Sequence, residues 1–163
     1  MSLDPFDKKI LTELQTFGRI TNVELAARVG LSPSPALART RQLEEDGIVA
    51  GYVAILDPEK LGGSVSVFIH VTLEKQSEAM LDVFENTVKA LPEVMECYLM
   101  SGDADYMLRV VVRDTVALRD FILDKLTKTP GVANIRSSFA LKQVKYKTAL
   151  PLDQLWPDSS RRR

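Results

Sequence analysis

The sequence predicts an α+β protein, with helices alone in the first third of the chain and alternating strands and helices after it. Apolar residues between Asp4 and Ile48 recur every three or four positions, which is the spacing of one helical face. From Val65 to Glu74, apolar and polar residues alternate, as in a strand with one buried face. The turn-forming pairs Asp57-Pro58 and Gly62-Gly63 separate the two patterns, so we expect a linker between two domains.

The composition is that of a folded globular protein. The chain has 163 residues, 45% hydrophobic and 26% charged, which excludes the disordered and collagen-like classes. Its 21 basic residues nearly balance 22 acidic ones, so any binding to nucleic acid must be local. Cys97, the single cysteine, is expected to be a small buried hydrophobe, and His70, the single histidine, has no second ligand at metal-binding spacing. With no membrane-spanning run and no signal peptide, we expect a cytoplasmic protein without a metal.

Three short helices fit the first domain, residues 1–50. The first ends near Gly18, which suits the left-handed conformation after a helix. The second begins at Thr21, which can form a capping box with Glu24. The third begins after Ser32 as its N-cap and runs to about Asp46. The predicted inward-facing residues are Ile10, Leu11, Leu14 and Phe17 in the first helix, Val23, Ala26 and Ala27 in the second, and Leu37, Thr40 and Leu43 in the third.

The remaining elements follow the order βαββαβ, the split βαβ arrangement of ferredoxin-like folds. After the first strand we expect a helix over 78–91, strands over 94–100 and 106–112, a helix capped by Thr115, and a strand from 132 to about 147. Both helices would cover one face of the sheet, which favours a dimer that packs sheet on sheet over the other face. We assign 51–63 to a strand-containing linker, 64–150 to this domain and 151–163, with the terminal Arg161–Arg163, to a frayed tail.

The third helix has the composition of a DNA-recognition helix. Between Arg28 and Leu43 there are three arginines and no acidic residue, as a helix in the major groove requires. The predicted base-reading residues are Ser34, Ala38, Arg39 and Gln42, with Arg39 suited to guanine and Gln42 to adenine. The predicted phosphate contacts are Arg28, Ser32 and Arg41. A three-helix packing module with a solvated basic face is the alternative.

Several short motifs occur together in a recognisable order. They are Leu-Ser-Pro-Ser-Pro at 31–35, Arg39, Arg41, Leu43, Glu44, Gly47-Ile48, Gly51-Tyr52, Leu56-Asp57-Pro58 and Ser101-Gly102-Asp103-Ala104-Asp105-Tyr106. This combination closely resembles the leucine-responsive and asparagine-responsive regulators, the Lrp/AsnC family, over residues 4 to about 150. The resemblance implies a winged helix-turn-helix that binds double-stranded DNA and a ligand-responsive βαββαβ domain. It also implies homodimers that assemble further, commonly into octamers, and effectors that are usually amino acids.

The same resemblance implies an effector site near the hairpin at 101–106, between neighbouring dimers. A free amino acid needs a carboxylate for its ammonium group, donors for its carboxylate and an apolar pocket. We assign Asp103 or Asp105 to the ammonium group and the amides around Gly102 to the carboxylate. Further candidates are Tyr98, Met100 and Tyr106 as apolar walls and Ser137 and Ser138 as hydroxyl donors. The alternative is that this motif is turn chemistry with solvated aspartates, and Ala104 stands where the family often has an aromatic residue.

Two other functions are compatible with the sequence. Some tetrapyrrole decarboxylases resemble this family, but such sites depend on histidines and this chain has His70 alone. A nucleoid-organising protein that wraps DNA would bind specific and random sequences about equally well. The leading interpretation is a sequence-specific transcriptional regulator that is not an enzyme, needs no cofactor and responds to an amino-acid effector.

Overall fold

The computed structural model describes residues 3–63 and 65–156, which divide into two compact units. Residues 3–55 and 145–156 form one, the helical unit, and residues 56–63 and 65–144 form the other, the sheet unit. The predicted basic run Arg161–Arg163 lies outside the described residues.

Capping side chains begin the first two helices of the helical unit. The helices are α1 (Pro5–Thr16), α2 (Asn22–Val29) and α3 (Pro33–Glu45). Asp4 and Asp7 form a capping box at α1, and Thr21 and Glu24 form the predicted one at α2. Ser32 has the predicted N-cap conformation before α3, but its side chain makes no capping hydrogen bond.

The three helices share one small core. It is formed by Ile10, Leu11, Leu25, Val29 and Leu43. Phe17, Val23 and Leu37, which we predicted to be buried, are at least 38% exposed. In α3 the buried residues are Ala36, Thr40 and Leu43, so the small side chain of Ala36 takes the place predicted for Leu37. Gly18 is not left-handed as predicted, whereas Gly30 after α2 and Gly47 after α3 are, with φ of 77° and 71°.

The sheet unit has the predicted order βαββαβ. Its elements are β1 (Val65–Leu73), α4 (Glu78–Lys89), β2 (Val94–Leu99), β3 (Tyr106–Val112), α5 (Thr115–Asp120) and β4 (Val132–Phe139). A π-helical turn over Phe121–Leu126 extends α5. The strands form one antiparallel sheet in the order β2-β3-β1-β4. The cap of α5 is Asp114 and not Thr115, because the Asp114 carboxylate accepts from the amide of Ala117 at 2.7 Å.

The two faces of this sheet differ in burial. One face packs under the helices and forms the core, with Val67, Ile69, Val71, Leu73, Tyr106, Leu108, Val110 and Val112 from the strands and Phe84, Val88, Leu118, Phe121 and Leu126 above them. The opposite face, which we call the open face, carries Phe68, Met107 and Arg109, all partly exposed. Phe68 was the single apolar residue on the polar side of the predicted alternation, so the alternation itself is confirmed.

The chain segments that connect the units contain fewer strands than predicted. Residues 51–58 form no strand, and Glu59–Leu61 is a single 3-10 turn. The last strand ends at Phe139 rather than near 147. Val53 and Leu141 in these segments are 87% and 97% exposed. A β-prone segment becomes a strand only beside a neighbour that pairs with it over several residues. Within residues 3–63 and 65–156, the hydrogen bond from the amide of Ala140 to the carbonyl of Ser66 is the one backbone bond that joins these segments to a strand.

The start of the predicted frayed tail is helical. A short helix, α6 (Leu152–Leu155), follows Pro151, and Leu152 packs against the core of the helical unit. Residues 157–163, the rest of the predicted tail, lie outside the described residues.

Candidate nucleic-acid interface and ligand site

The exposed face of α3 carries Ser34, Ala38 and Arg41. These residues are spaced by four and three positions, so they form one stripe on the side away from the buried Ala36 and Thr40. All three are exposed. The stripe offers a hydroxyl, a methyl group and a guanidinium, which are groups that contact base edges or phosphates in a major groove.

Arg39 does not lie on this stripe, although the sequence pattern placed it there as a residue suited to guanine. Its Nη1 atom lies 2.6 Å from Asp4 Oδ2 and 2.7 Å from Asp7 Oδ1. Its guanidinium carbon also lies 5.6 Å from the centroid of the Phe6 ring. The hydrogen bonds with Asp7 and Asp4 raise the pKa of Arg39, so its guanidinium is paired with the carboxylates at the start of α1.

Helical geometry explains this placement of Arg39. The residue lies three positions after Ala36 and four before Leu43, both of which are buried. Side chains at these spacings are neighbours on one face of a helix. Arg39 therefore borders the buried face, beside α1, and acts as a tie between the two helices.

The other predicted DNA contacts differ in whether their polar groups already have partners within the protein. Arg28 pairs with Glu13 at 3.0 Å and its guanidinium carbon lies 4.3 Å from the Phe17 ring centroid, yet 46% of its side chain is exposed. Ser32 keeps an exposed hydroxyl without a capping bond. Gln42 is exposed and donates to Asp46 at 3.0 Å, which occupies one of its amide hydrogens. Arg28 and Ser32 therefore remain candidate phosphate contacts.

Arg19 is a candidate contact that the sequence reasoning missed. The Asn22 side chain donates to the carbonyl of Pro33 at 2.8 Å, which brings the starts of α2 and α3 together. Arg19 lies in the turn before α2 and is exposed, and it makes no ion pair within residues 3–63 and 65–156. A basic residue just before the Thr21 capping box was the available signal, but the prediction considered only residues from 28 onwards.

The end of α3 is acidic, which disfavours contact with DNA phosphates. Glu44, Glu45 and Asp46 follow one another at its C-terminus, and all are exposed. The hydroxyl of Tyr52 donates to Glu44 at 2.9 Å, and burial together with this carboxylate raises the pKa of Tyr52 to about 12. The part of α3 before Glu44, which has no acidic residue, is thus the part suited to a groove.

The hairpin between β2 and β3 separates the two aspartates that we considered for an ammonium group. Asp103 is exposed at the turn, next to Gly102, whose φ of 140° favours glycine. Asp105 is only 7% exposed, and its carboxylate accepts hydrogen bonds from the amide of Leu73, at 2.7 Å, and from the side chain of Gln76. Asp105 thus ties the hairpin to the end of β1, so it is not available to a ligand.

The predicted apolar walls lie on different faces of the sheet. Tyr98 is paired with Met107 on the open face, whereas Tyr106 is buried on the helix side, with its ring centroid 4.5 Å from that of Phe84. The Tyr106 hydroxyl donates to Glu85 at 2.9 Å, and burial raises the pKa of its phenol. Tyr98 and Tyr106 therefore cannot line one pocket within a single sheet, and Tyr106 is a core residue.

The predicted hydroxyl donors on β4 are separated in the same way. Ser137 pairs with Ile69, whose side chain is in the core, and Ser138 pairs with Phe68 on the open face. Successive residues of a strand point to opposite faces, so Ser137 and Ser138 cannot both serve one site. Of the predicted ligand residues, Met100, Gly102 and Asp103 are the ones that remain together and exposed at the hairpin turn.

A cavity of about 310 Å³ lies beside β2, and its lining includes Leu99 and Tyr106, the pair of residues that flanks the hairpin turn. The lining also includes Glu85, Lys89, Met95 and Cys97. Cys97 is exposed here, so the prediction of a buried cysteine is wrong, because β2 is an edge strand and α4 does not cover it completely. Partial burial and then the charge of Glu85 raise the pKa of this thiol.

Metal-binding clusters and membrane-spanning helices are absent from the described residues. Across 3–63 and 65–156, His, Cys, Asp and Glu side chains nowhere gather in the groups of three or more that could hold a metal ion. None of the helices in the same ranges has the length and apolar content to span a bilayer.

Comparisons with known proteins agree with this arrangement. Residues 3–50 match the model of a winged helix-turn-helix DNA-binding domain, and residues 66–150 match that of the Lrp/AsnC ligand binding domain. The Bkd operon transcriptional regulator of Pseudomonas aeruginosa is 51% identical over 150 residues, which cover 92% of this chain and 98% of that protein. The leucine-responsive regulatory protein of Escherichia coli is 43% identical over 148 residues, covering 91% and 90%.

Solved structures of transcriptional regulators are similar throughout. A regulator from Neisseria meningitidis, solved as a complex with L-Met, superimposes with a TM-score of 0.90 at 44% identity and covers 94% of this chain and 99% of that one. An AsnC family regulator from Agrobacterium tumefaciens gives 0.89 at 41% identity, covering 94% and 99%. These relatives are transcriptional regulators and not enzymes, so the alternative of a tetrapyrrole decarboxylase is set aside. The chain belongs to the Lrp/AsnC family of transcriptional regulators, with a DNA-binding domain followed by a ligand-binding domain.

Proposed function

We propose that this protein binds specific DNA sequences through α3 and that a free amino acid changes this binding. The observation that carries the proposal is the exposed stripe Ser34, Ala38 and Arg41 at the acid-free half of α3, on a chain whose second domain is of a ligand-binding family. A local positive surface is sufficient for this role even though the whole chain has a net charge of −1.

The proposed DNA contacts divide into two groups. Ser34 and Ala38 would approach base edges, while phosphates on either side would be contacted by Arg19, Arg28, Ser32 and Arg41. Each phosphate that is neutralised releases counterions, so binding should weaken steeply as salt increases. In a twofold dimer the paired helices would require a pseudo-palindromic site, with half-sites about one helical turn or a multiple apart.

The proposed effector is an amino acid bound near the hairpin turn. Support comes from the L-Met complex of the similar Neisseria regulator and from the exposed Met100, Gly102 and Asp103 in this chain. The Asp103 carboxylate would pair with the ammonium group and the amides near Gly102 would donate to the ligand carboxylate.

The proposed assembly is a homodimer that covers the open face of the sheet and associates further, with an octamer as the expected limit. The open face carries Phe68 and Met107 beside the pair between Arg109 and Glu96 at 2.8 Å. His70 Nδ1 on the same face is buried and has no hydrogen-bond partner within the described residues, so a group from a second chain could satisfy it. Sedimentation velocity would measure the assembly. We also propose that the protein acts in the cytoplasm, as expected for a regulator related to those of bacteria.

Calorimetry and DNA titration test the effector proposal together. L-Methionine and L-leucine are titrated into the protein and into Asp103→Ala, with Asp82→Ala, which removes an exposed carboxylate on α4, as the control. We expect Asp103→Ala to weaken binding and Asp82→Ala to leave it unchanged. Binding that survives in Asp103→Ala would remove this residue from the site. A ratio of specific to random-DNA affinity near one would instead favour the nucleoid-organising role.

A further inference from the structure

The last described segment of the chain is fastened to α1 of the DNA-binding domain. We call residues 150–156 the clasp. Gln15 on α1 accepts from the amide of Leu150 at 2.6 Å and donates to the carbonyl of the same residue at 3.4 Å. Two turns earlier on α1, Lys8 donates to the carbonyl of Trp156 at 3.0 Å and pairs with Asp153 at 2.9 Å. Both ends of the clasp are therefore held by side chains of one helix.

The same helix holds the recognition helix. Asp4 and Asp7, at the start of α1, form the two ion pairs with Arg39 of α3. Lys8 follows Asp7 directly, so the first two turns of α1 carry both the clasp contacts and the contacts to α3. The clasp and α3 are thus both held by polar side chains of the same helix, α1.

We propose that the clasp positions the recognition helix and transmits the state of the ligand-binding domain to DNA binding. This inference rests on the proposed function, because it assumes that an amino acid changes DNA affinity. The clasp is joined to the end of β4 by residues 140–149, which form neither helix nor strand. The ligand-binding domain is therefore connected to the DNA-binding domain at both ends of its chain, through 51–63 and through the clasp.

The clasp has the properties of an element with two states. It contains one short helix, and Leu152 is its contact with the apolar core of the unit. An element with so few buried contacts opens at low cost in free energy. A ligand or a DNA site that binds the docked and released states with different affinity will shift the balance between them. The same coupling must then act in both directions.

A pair of adjacent lysines on α1 provides a matched test. Lys8→Met removes both polar contacts of one clasp end. Lys9→Met removes the same charge from a residue that lies over Phe6 and makes no hydrogen bond or ion pair with residues 150–156. We expect Lys8→Met to bind L-methionine as tightly as the unsubstituted protein does but to reduce the effect of L-methionine on DNA affinity by about fivefold or more. Lys9→Met should keep that effect. Equal behaviour of the two variants would overturn the proposal.

Trp156, the single tryptophan, reports the clasp without any substitution. It is 39% exposed in the clasp, so acrylamide quenching of its fluorescence measures docking. We expect operator DNA alone, selected by the protein from randomised duplexes, to change the quenching, and Lys8→Met to bind that DNA less tightly than Lys9→Met. If no amino acid alters DNA binding, the proposed function fails. The measurements with DNA alone then test whether the clasp positions the recognition helix. If DNA leaves the quenching unchanged and the two variants bind DNA with equal affinity, the proposed role of the clasp is wrong, while the proposed function stands.

Discussion

Replacing Arg39 by methionine removes the ion pairs that hold the start of α1 against α3 and keeps much of the apolar length of the side chain. The side chains of Arg39, Asp4 and Asp7 are 35%, 40% and 16% exposed, so solvent screens the two pairs and each contributes about 0.5–1 kcal/mol. Loss of the contact with Phe6 adds about 0.5 kcal/mol. We therefore expect the free energy of unfolding of the helical unit to fall by about 1.5–2.5 kcal/mol.

Denaturant unfolding followed by the fluorescence of Trp156 measures this loss, because the tryptophan lies in the helical unit. Arg19→Met is the matched control, since Arg19 is exposed and makes no ion pair among the described residues. The control should remain within about 0.5 kcal/mol of the unsubstituted protein. Equal stability of Arg39→Met and Arg19→Met would refute the structural role of Arg39.

The same stabilisation has a predictable pH dependence. Hydrogen bonding to the amide of Asp7, and to Arg39, holds the pKa of Asp4 below its ordinary value of 3.8. A carboxylate with a lowered pKa stabilises the folded state fully above its unfolded pKa and loses that effect as pH falls through the folded one. The stability difference between the unsubstituted protein and Arg39→Met should therefore be complete at neutral pH and shrink below about pH 3.8. A difference that persists at the lowest pH at which both remain folded would contradict this.

DNA titrations on the same variant separate a structural tie from a direct contact. The slope of log affinity against log salt falls by about 0.9 for each phosphate contact that is lost. Arg41→Met should lower the slope by about this amount, since Arg41 lies on the exposed stripe. Arg39→Met should leave it unchanged, whatever its effect on affinity. A reduced slope in Arg39→Met would show that this residue leaves Asp4 and Asp7 and contacts DNA.

Three further predictions concern the sheet unit. Asp105→Asn should reduce the free energy of unfolding by about 1–3 kcal/mol, because it weakens a buried hydrogen bond to β1, and should leave amino-acid affinity intact. Asp103→Asn should weaken amino-acid binding and leave the free energy of unfolding unchanged. Denaturation and calorimetry distinguish the two variants. Tyr106→Phe should cost about 0.5–1.5 kcal/mol by removing the hydrogen bond to Glu85, and an unchanged unfolding midpoint would contradict that role. Cys97 should react with iodoacetamide more slowly at pH 8 than a free cysteine does, because its pKa is raised, and Glu85→Gln should accelerate the reaction.

Local patterns predicted most of the fold because the responsible interactions lie within a few residues. The capping box of Thr21 and Glu24 and the alternation along β1 depend on neighbours in the sequence. The rotation of α3 was predicted less well. Leu37 was taken as a core residue because it is large and apolar, yet the smaller Ala36 is the buried one, so the predicted face was turned by one position. That error is the reason Arg39 was assigned to DNA.

The candidate site was harder to predict because long-range contacts decide it. Asp105 is of a residue type that is common in turns, and only the fold brings the amide of Leu73 and the side chain of Gln76 against its carboxylate. The aspartates that anchor Arg39 are more than 30 positions away in sequence. The β-prone linker at 51–58 would need a pairing partner, and residues 3–63 and 65–156 of the chain do not supply one.

The most direct test of a DNA-reading surface on α3 places a carboxylate at its centre. Ala38→Glu is compared by fluorescence anisotropy with Ala27→Glu, which adds the same charge at an exposed position of α2. Like charges brought together at an interface cost several kcal/mol, so Ala38→Glu should weaken operator binding by about 100-fold or more while its unfolding midpoint stays the same. Binding by Ala38→Glu that is as tight as binding by Ala27→Glu would contradict the account.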